Sequence, residues 1–305
     1  MSGIVGPSLV AALLERLDAI QARMTEVFRS SRVEQHIQPG NPFAALSGRQ
    51  PKPKISYRWA PLNTDLENEQ ARILSTYAEW YGEFAWLISD TSERTQRSFS
   101  TSNQAVSVMI RVRSYGQFPR TAEAAVQQFS ALLAPFYDYL RELKESQSET
   151  ILVPDTNVLI DQHDVTLYGA ALGVDAYKCV VTPVVLAELD ELKIKRTDKE
   201  FRNRVSRAIR YLRSWREKGD VLLGVALAPG ITGQMMATEP DFDALPDWLD
   251  PSINDDRMVA SALTIRRCEP AATVSVISND LNLANKCSLA GIACHEVPSV
   301  SDDAA

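Results

Sequence analysis

Apolar residues recur at helical spacing through the first half of the chain and gather into short blocks in the second. Leu13, Leu17, Ile20, Met24 and Val27 step by fours and threes, which predicts an amphipathic helix over residues 8–29 with Ser8 as a candidate cap. Pro39, Pro42, Pro51, Pro53 and Pro61 then predict a loop from Ser31 to Pro61. From about Asp65, the residues Ile73, Tyr77, Trp80, Phe84 and Leu87 form a second helical stripe. Its aromatics read as core rather than as a cofactor pocket; the alternative is a surface that pairs with another subunit. The Ser/Thr-rich residues 89–103 predict a break or a new helix between Thr91 and Thr101. Helix then continues through Val106 and Ile110 to a stop at Gly116 and Pro119. Phe129, Leu133, Phe136 and Leu140 mark a last helix over residues 121–144, where Pro135 should introduce a kink.

Composition turns polar over residues 145–150, which divides the chain into residues 1–147 and 148–300. Beyond that point short apolar runs alternate with helical patterns. Residues 151–154, 179–182, 221–226, 273–280 and 292–297 read as strands. Helices are expected after Asp155, from Pro183, across Lys193–Lys218, from Asn254 and from Asn282. The stretch from Pro229 to Ser252 is acidic and proline-containing and reads as a loop or lid. The alternation implies a mainly parallel sheet, so the fold class is α/β, with an all-α N-terminal domain.

The 305 residues suit two domains, and 45% hydrophobic against 23% charged residues allows an ordinary core. No signal peptide and no membrane span are expected. Cys179, Cys268, Cys287 and Cys294 form no CxxC pair, so reduced thiols and a cytoplasmic location are expected and a zinc site is not. The net charge of −7 argues against a dedicated nucleic-acid-binding chain. Against that trend, residues 193–218 are strongly basic, and Arg207, Arg210 and Arg213 recur every third residue above the apolar Val205, Ile209 and Leu212. This face is either simply solvated or a track for phosphates.

The candidate chemistry is carboxylate chemistry. Asp155 closes the first strand of the second half, where an acid is either a helix cap or a ligand at the sheet edge. Glu188 sits early on a helix among apolar residues, as a surface acid or a ligand. Asp255 and Asp256 open another helix, and two adjacent acids exceed what a cap requires. Asp280 ends a further strand. Parallel strands present their C-terminal ends on one edge, so four of these acids can converge. Clustered carboxylates need cations to remain charged, and oxygen donors without Cys or His point to Mg²⁺ or Mn²⁺.

Four segments carry a family resemblance: Asp155-Thr156-Asn157; Pro183 to Lys193 with its Glu-Leu-Asp-Glu-Leu-Lys; Asn254-Asp255-Asp256-Arg257; and Ser278-Asn279-Asp280-Leu281-Asn282-Leu283. Over about residues 150–298 the chain resembles a PIN domain, and within that family the branch associated with PhoH-like and nonsense-mediated-decay proteins. The resemblance implies a parallel sheet flanked by helices and a Mg²⁺-dependent RNA endonuclease. Asp155, Glu188, Asp256 and Asp280 would be its catalytic and metal-binding quartet. Asp256 is preferred over Asp255 because Val259 and Ala260 then fall where the family places its apolar helix residues. Asn157, Ser278 and Asn282 would support the quartet by hydrogen bonds, with Asp255 beside them. RNA is the implied partner, and the helical half would serve association with a second copy or another protein. The rival expectation is a non-catalytic PIN fold that binds RNA or protein. The three histidines lie outside any nucleophile motif, which disfavours a serine hydrolase.

Overall fold

The structure, a computed structural model, describes residues 6–38, 54–111, 118–145, 149–195 and 198–297. These fall into two compact units, one spanning Ala12–Glu142 and the other running from Leu143 onward and taking in the residues up to Ala11.

The first unit is helical, with α1 (Leu9–Arg29), α2 (Thr64–Leu87), α3 (Glu93–Arg111) and α4 (Ala122–Glu145), together with a two-stranded hairpin of β1 (Val33–Gln38) and β2 (Lys54–Trp59). Asn63 caps α2 by accepting the Leu66 N–H at 2.9 Å, and Asp65 and Glu67 follow in the positive first turn. The stripe of Tyr77, Trp80 and Phe84 is core: all three are fully buried, and Phe84 packs edge-on against Phe99 and Phe136. Trp80 Nε1 donates to the Leu13 carbonyl at 2.8 Å, which satisfies the indole inside that core. Pro135 lies within α4, which runs unbroken across it.

The hairpin corrects the loop expected from Ser31 to Pro61. Trp59 anchors the hairpin, buried edge-on against Phe28 and Phe118. Pro39, Pro42, Pro51 and Pro53, like Gly116, lie outside the described residues.

The second unit is a six-stranded sheet flanked by helices. It begins with β3 (Thr150–Pro154), α5 (Thr156–Asp161), a 3₁₀ turn at Val165–Leu167 and α6 (Tyr168–Leu172). Next come β4 (Tyr177–Val181), α7 (Pro183–Lys195), α8 (Lys199–Lys218), β5 (Val225–Ala228) and β6 (Ile231–Met235). It closes with α9 (Asn254–Cys268), β7 (Thr273–Ile277), α10 (Leu281–Leu289) and β8 (Ala293–His295). The strand order is β5-β6-β4-β3-β7-β8, parallel except for β5.

The region around β5 departs from the sequence expectation. Residues 221–223 form a turn rather than a strand, and β6 occupies part of the stretch read as a loop. The reversal is made by Gly230 in the left-handed region at φ 75°. At Gly233 the backbone lies under Trp215, and a Cβ there would stand 2.8 Å from the indole ring. This close approach docks α8 on the sheet through a fully buried tryptophan and leaves the arginine face outside.

The chain builds outward from β3 in one direction, through β4 and β6, and then crosses back to add β7 and β8 on the other side. The order therefore reverses between β3 and β7. The C-terminal edge of such a switch point is an open crevice, because the connecting helices leave in opposite directions.

Candidate functional site

Asp155 stands at that crevice. Its N–H donates to the Ile277 carbonyl at 2.9 Å, which ties the end of β3 to the end of β7. Its side chain is both alternatives offered by the sequence. Oδ1 caps α5 by accepting the Val158 N–H at 2.7 Å, and the residue lines a cavity of about 80 Å³. Oδ2 accepts the Ser278 hydroxyl, which in turn accepts the Asp280 N–H at 3.0 Å.

Glu188, Asp255 and Asp280 line the same cavity, with Thr156, Asn157 and Asn254. The four carboxylates come from four elements: the end of β3, the second turn of α7, the first turn of α9 and the cap of α10. Thr156 donates its hydroxyl to Glu188 Oε2, and Asn254 Nδ2 donates to Glu188 Oε1 at 2.5 Å. Asn282 Nδ2 donates to Asp255 Oδ2 at 2.6 Å. Asp280 Oδ1 caps α10 by accepting the Asn282 and Leu283 N–H groups.

Asp256 sits apart from these four. It does not line the cavity: its carboxylate is turned into the unit beside Lys286, 2.7 Å from Nζ, and accepts the Asp250 N–H at 3.0 Å. Helical spacing explains why. Val259, Ala260 and Leu263 follow Asp256 by three, four and seven residues, and all are buried, so Asp256 shares the core face. The apolar residues that favoured Asp256 in the sequence are what turn it inward. Asp255 shares its face with Met258, which also lines the cavity.

Of the supporting residues, the Ser278 hydroxyl donates to Asp155 of the expected quartet, whereas the Asn282 side chain donates to Asp255. Asn157 lines the cavity from an exposed position, and the bonds expected of it are made by Thr156 and Asn254 instead. Both of those residues stand inside the quoted motifs, where small polar residues beside acids were the available signal. Lys286 carried no such signal, because its partners became visible only when α9 and α10 were brought together. Arg257 likewise donates to Asn254 Oδ1 at 3.1 Å and pairs with Glu239. Glu188 is thereby connected to the acidic segment before α9.

Burial pushes the Asp155 carboxyl above its ordinary pKa; its bonds from Ser278 and Val158 oppose this, and the Asp280 and Glu188 charges add to it. A cation in the cavity would relieve these costs together. Lys286 keeps its proton: burial opposes the charge, but Asp256 and Asp255 outweigh it and raise its pKa.

All-oxygen donors at one edge fit a hard divalent cation. Among the described residues, no group of three or more His, Cys, Asp or Glu side chains is already arranged to hold an ion. The donor set therefore fits by chemistry, while Glu188, Asp255 and Asp280 are each engaged by neighbouring donors.

Arg207, Arg210 and Arg213 come together with Lys193, Asn203 and Ser206 along a separate surface depression of about 630 Å³. Glu200 is the acid among its lining residues.

A protein-family model described as PIN domain matches residues 152–297. No curated protein matches the chain. Among solved structures, one similar chain is a domain of a functionally unknown protein from Methanocaldococcus jannaschii DSM 2661. It is 15% identical, with 50% of this chain and 94% of that chain covered, at a TM-score of 0.33. That score carries no weight beside the family match.

Proposed function

Residues 152–297 are a PIN domain, a nuclease-type fold, and from that premise we propose that the protein is a divalent-metal-dependent RNA endonuclease. The observation that supports this most is the meeting of Asp155, Glu188, Asp255 and Asp280 around one cavity at the switch point of the sheet. These four would hold Mg²⁺ or Mn²⁺. The ion, when bound, supplies a Lewis acid that activates water and offsets charge on a phosphodiester.

The chain's own contribution is position and electrostatics. Ser278 orients Asp155, Thr156 and Asn254 orient Glu188, and Asn282 orients Asp255. The acidic cavity repels phosphate, so attraction must come from elsewhere. The depression lined by Arg207, Arg210, Arg213 and Lys193 is the counterpart we assign to the RNA backbone. The helical unit we assign to association with a second copy or another protein, and the whole we place in the cytoplasm.

The test is cleavage of mixed RNA substrates with Mg²⁺, Mn²⁺ or EDTA, run beside Asp155→Asn. A second reading is favoured by one observation, the engagement of the carboxylates by local donors rather than in a preformed ion site. On that reading the PIN fold binds RNA or protein without cleaving it. RNA binding that persists without metal, with no cleavage under any ion, would select it.

A further inference from the structure

Five carboxylates, those of Asp155, Glu188, Asp255, Asp256 and Asp280, lie toward one end of the sheet, and Lys286 reaches two of them. Lys286 lies four residues after Asn282 on α10, so the two share a face. Both reach Asp255 Oδ2, Asn282 at 2.6 Å and Lys286 Nζ at 3.5 Å. The same ammonium is 2.7 Å from Asp256 Oδ1. Asp256 is only 5% exposed in its side chain, whereas Asp255 is 31% exposed.

We infer that Lys286 is a positioning residue for the metal site, held by buried Asp256 so that its ammonium fixes the Asp255 carboxylate in the cavity. This rests on the metal-site reading given above. A buried carboxylate without a cation is strongly unfavourable, so the lysine cannot leave Asp256 to follow a mobile partner. Asp256 is fixed in turn by the Asp250 N–H at 3.0 Å. The ammonium is thus a stationary point, and Asp255 is gripped from two positions on one helix face. Lys286 touches neither substrate nor the reacting atoms in this role; it acts through Asp255.

A structural clamp between α9 and α10 would show the same contacts, so the test must read the metal site itself. Mn²⁺ affinity is measured by calorimetry on the full chain and on the Lys286→Met/Asp256→Asn double variant, which removes the ion pair as a unit. Loss of an outer-shell partner weakens metal binding about 10–100-fold, and we expect a loss in that range from a variant that still melts cooperatively. Unchanged Mn²⁺ affinity in the folded double variant overturns the inference. If the double variant does not fold, Lys286→Arg carries the test. It keeps the charge and the Asp256 pair but replaces a point donor by a planar fork. Weaker Mn²⁺ binding supports positioning, and unchanged binding overturns it. Absence of Mn²⁺ binding by the unaltered protein overturns the metal-site reading and this inference with it.

Discussion

The Ser278 hydroxyl donates to Asp155 Oδ2 across 123 residues of sequence, joining the ends of two neighbouring strands at the point where the sheet changes direction. Because the Ser278 hydroxyl oxygen also accepts the Asp280 N–H, one side chain sets the spacing of two proposed ligands. Ser278→Ala should leave Asp155 buried and short of a donor. We expect a stability loss of roughly 1–3 kcal/mol in denaturant titration, with weaker Mn²⁺ binding. Unaltered stability and metal affinity would show that the bond has no such role.

Asp155 provides a pH prediction. Burial and its acidic neighbours hold its native pKa above the ordinary carboxylate value. Between that ordinary value and the raised one, the native state keeps a proton that the unfolded state has released. Metal-free stability should therefore fall as pH rises through this window and level off above it. In Asp155→Asn this component of the slope disappears. Above the window the metal-free variant should melt a few degrees higher than the unaltered protein, while losing most of the Mn²⁺-induced gain. Thermal melts across pH, with and without Mn²⁺, check both.

Asp255 and Asp256 separate the two faces of α9. Asp255→Asn should leave melting nearly unchanged and reduce cleavage by about 10²-fold or more, the scale of losing one preorganised charge group. Asp256→Asn leaves Lys286 without its buried partner and should cost about 3–5 kcal/mol, the penalty of breaking such a pair. Paired measurements of stability and cleavage test the assignment. The opposite pattern, with stability lost at Asp255 and activity at Asp256, would restore the register preferred from sequence.

The basic depression on α8 is tested by charge reversal. Arg207→Glu with Arg210→Glu should weaken RNA binding across sequences and flatten its salt dependence, as lost phosphate contacts do. Mn²⁺ affinity should be preserved, since neither residue lines the cavity. Unchanged affinity and salt slope in a binding titration would return this face to ordinary solvated surface.

β3, β4, β7 and β8 were legible because each is a short apolar block bounded by turn residues, and the acids just beyond β3 and β7 announce the switch point between them. The three arginines on α8 were legible through their spacing above a buried stripe. Less legible were elements whose signal lies in pairing. The described residues of the β1–β2 hairpin are largely exposed, and β6 follows a Pro-Gly turn inside an acidic stretch. At the site, one residue of register on α9 decided between Asp255 and Asp256. That choice depends on which face of the helix the sheet covers, which local pattern alone does not determine. Lys286, Thr156 and Asn254 take their roles from contacts between elements that are distant in sequence.

The most direct test of the proposed function is a time course of RNA cleavage by the purified full chain, followed in Mg²⁺, in Mn²⁺ and in EDTA, beside Asp255→Asn at equal concentration. We expect cleavage with either ion, none in EDTA, restoration when excess ion is returned, and loss of activity in a variant that melts like the unaltered protein. Cleavage that continues in EDTA, or that Asp255→Asn retains in full, would contradict a metal-dependent nuclease built on these carboxylates.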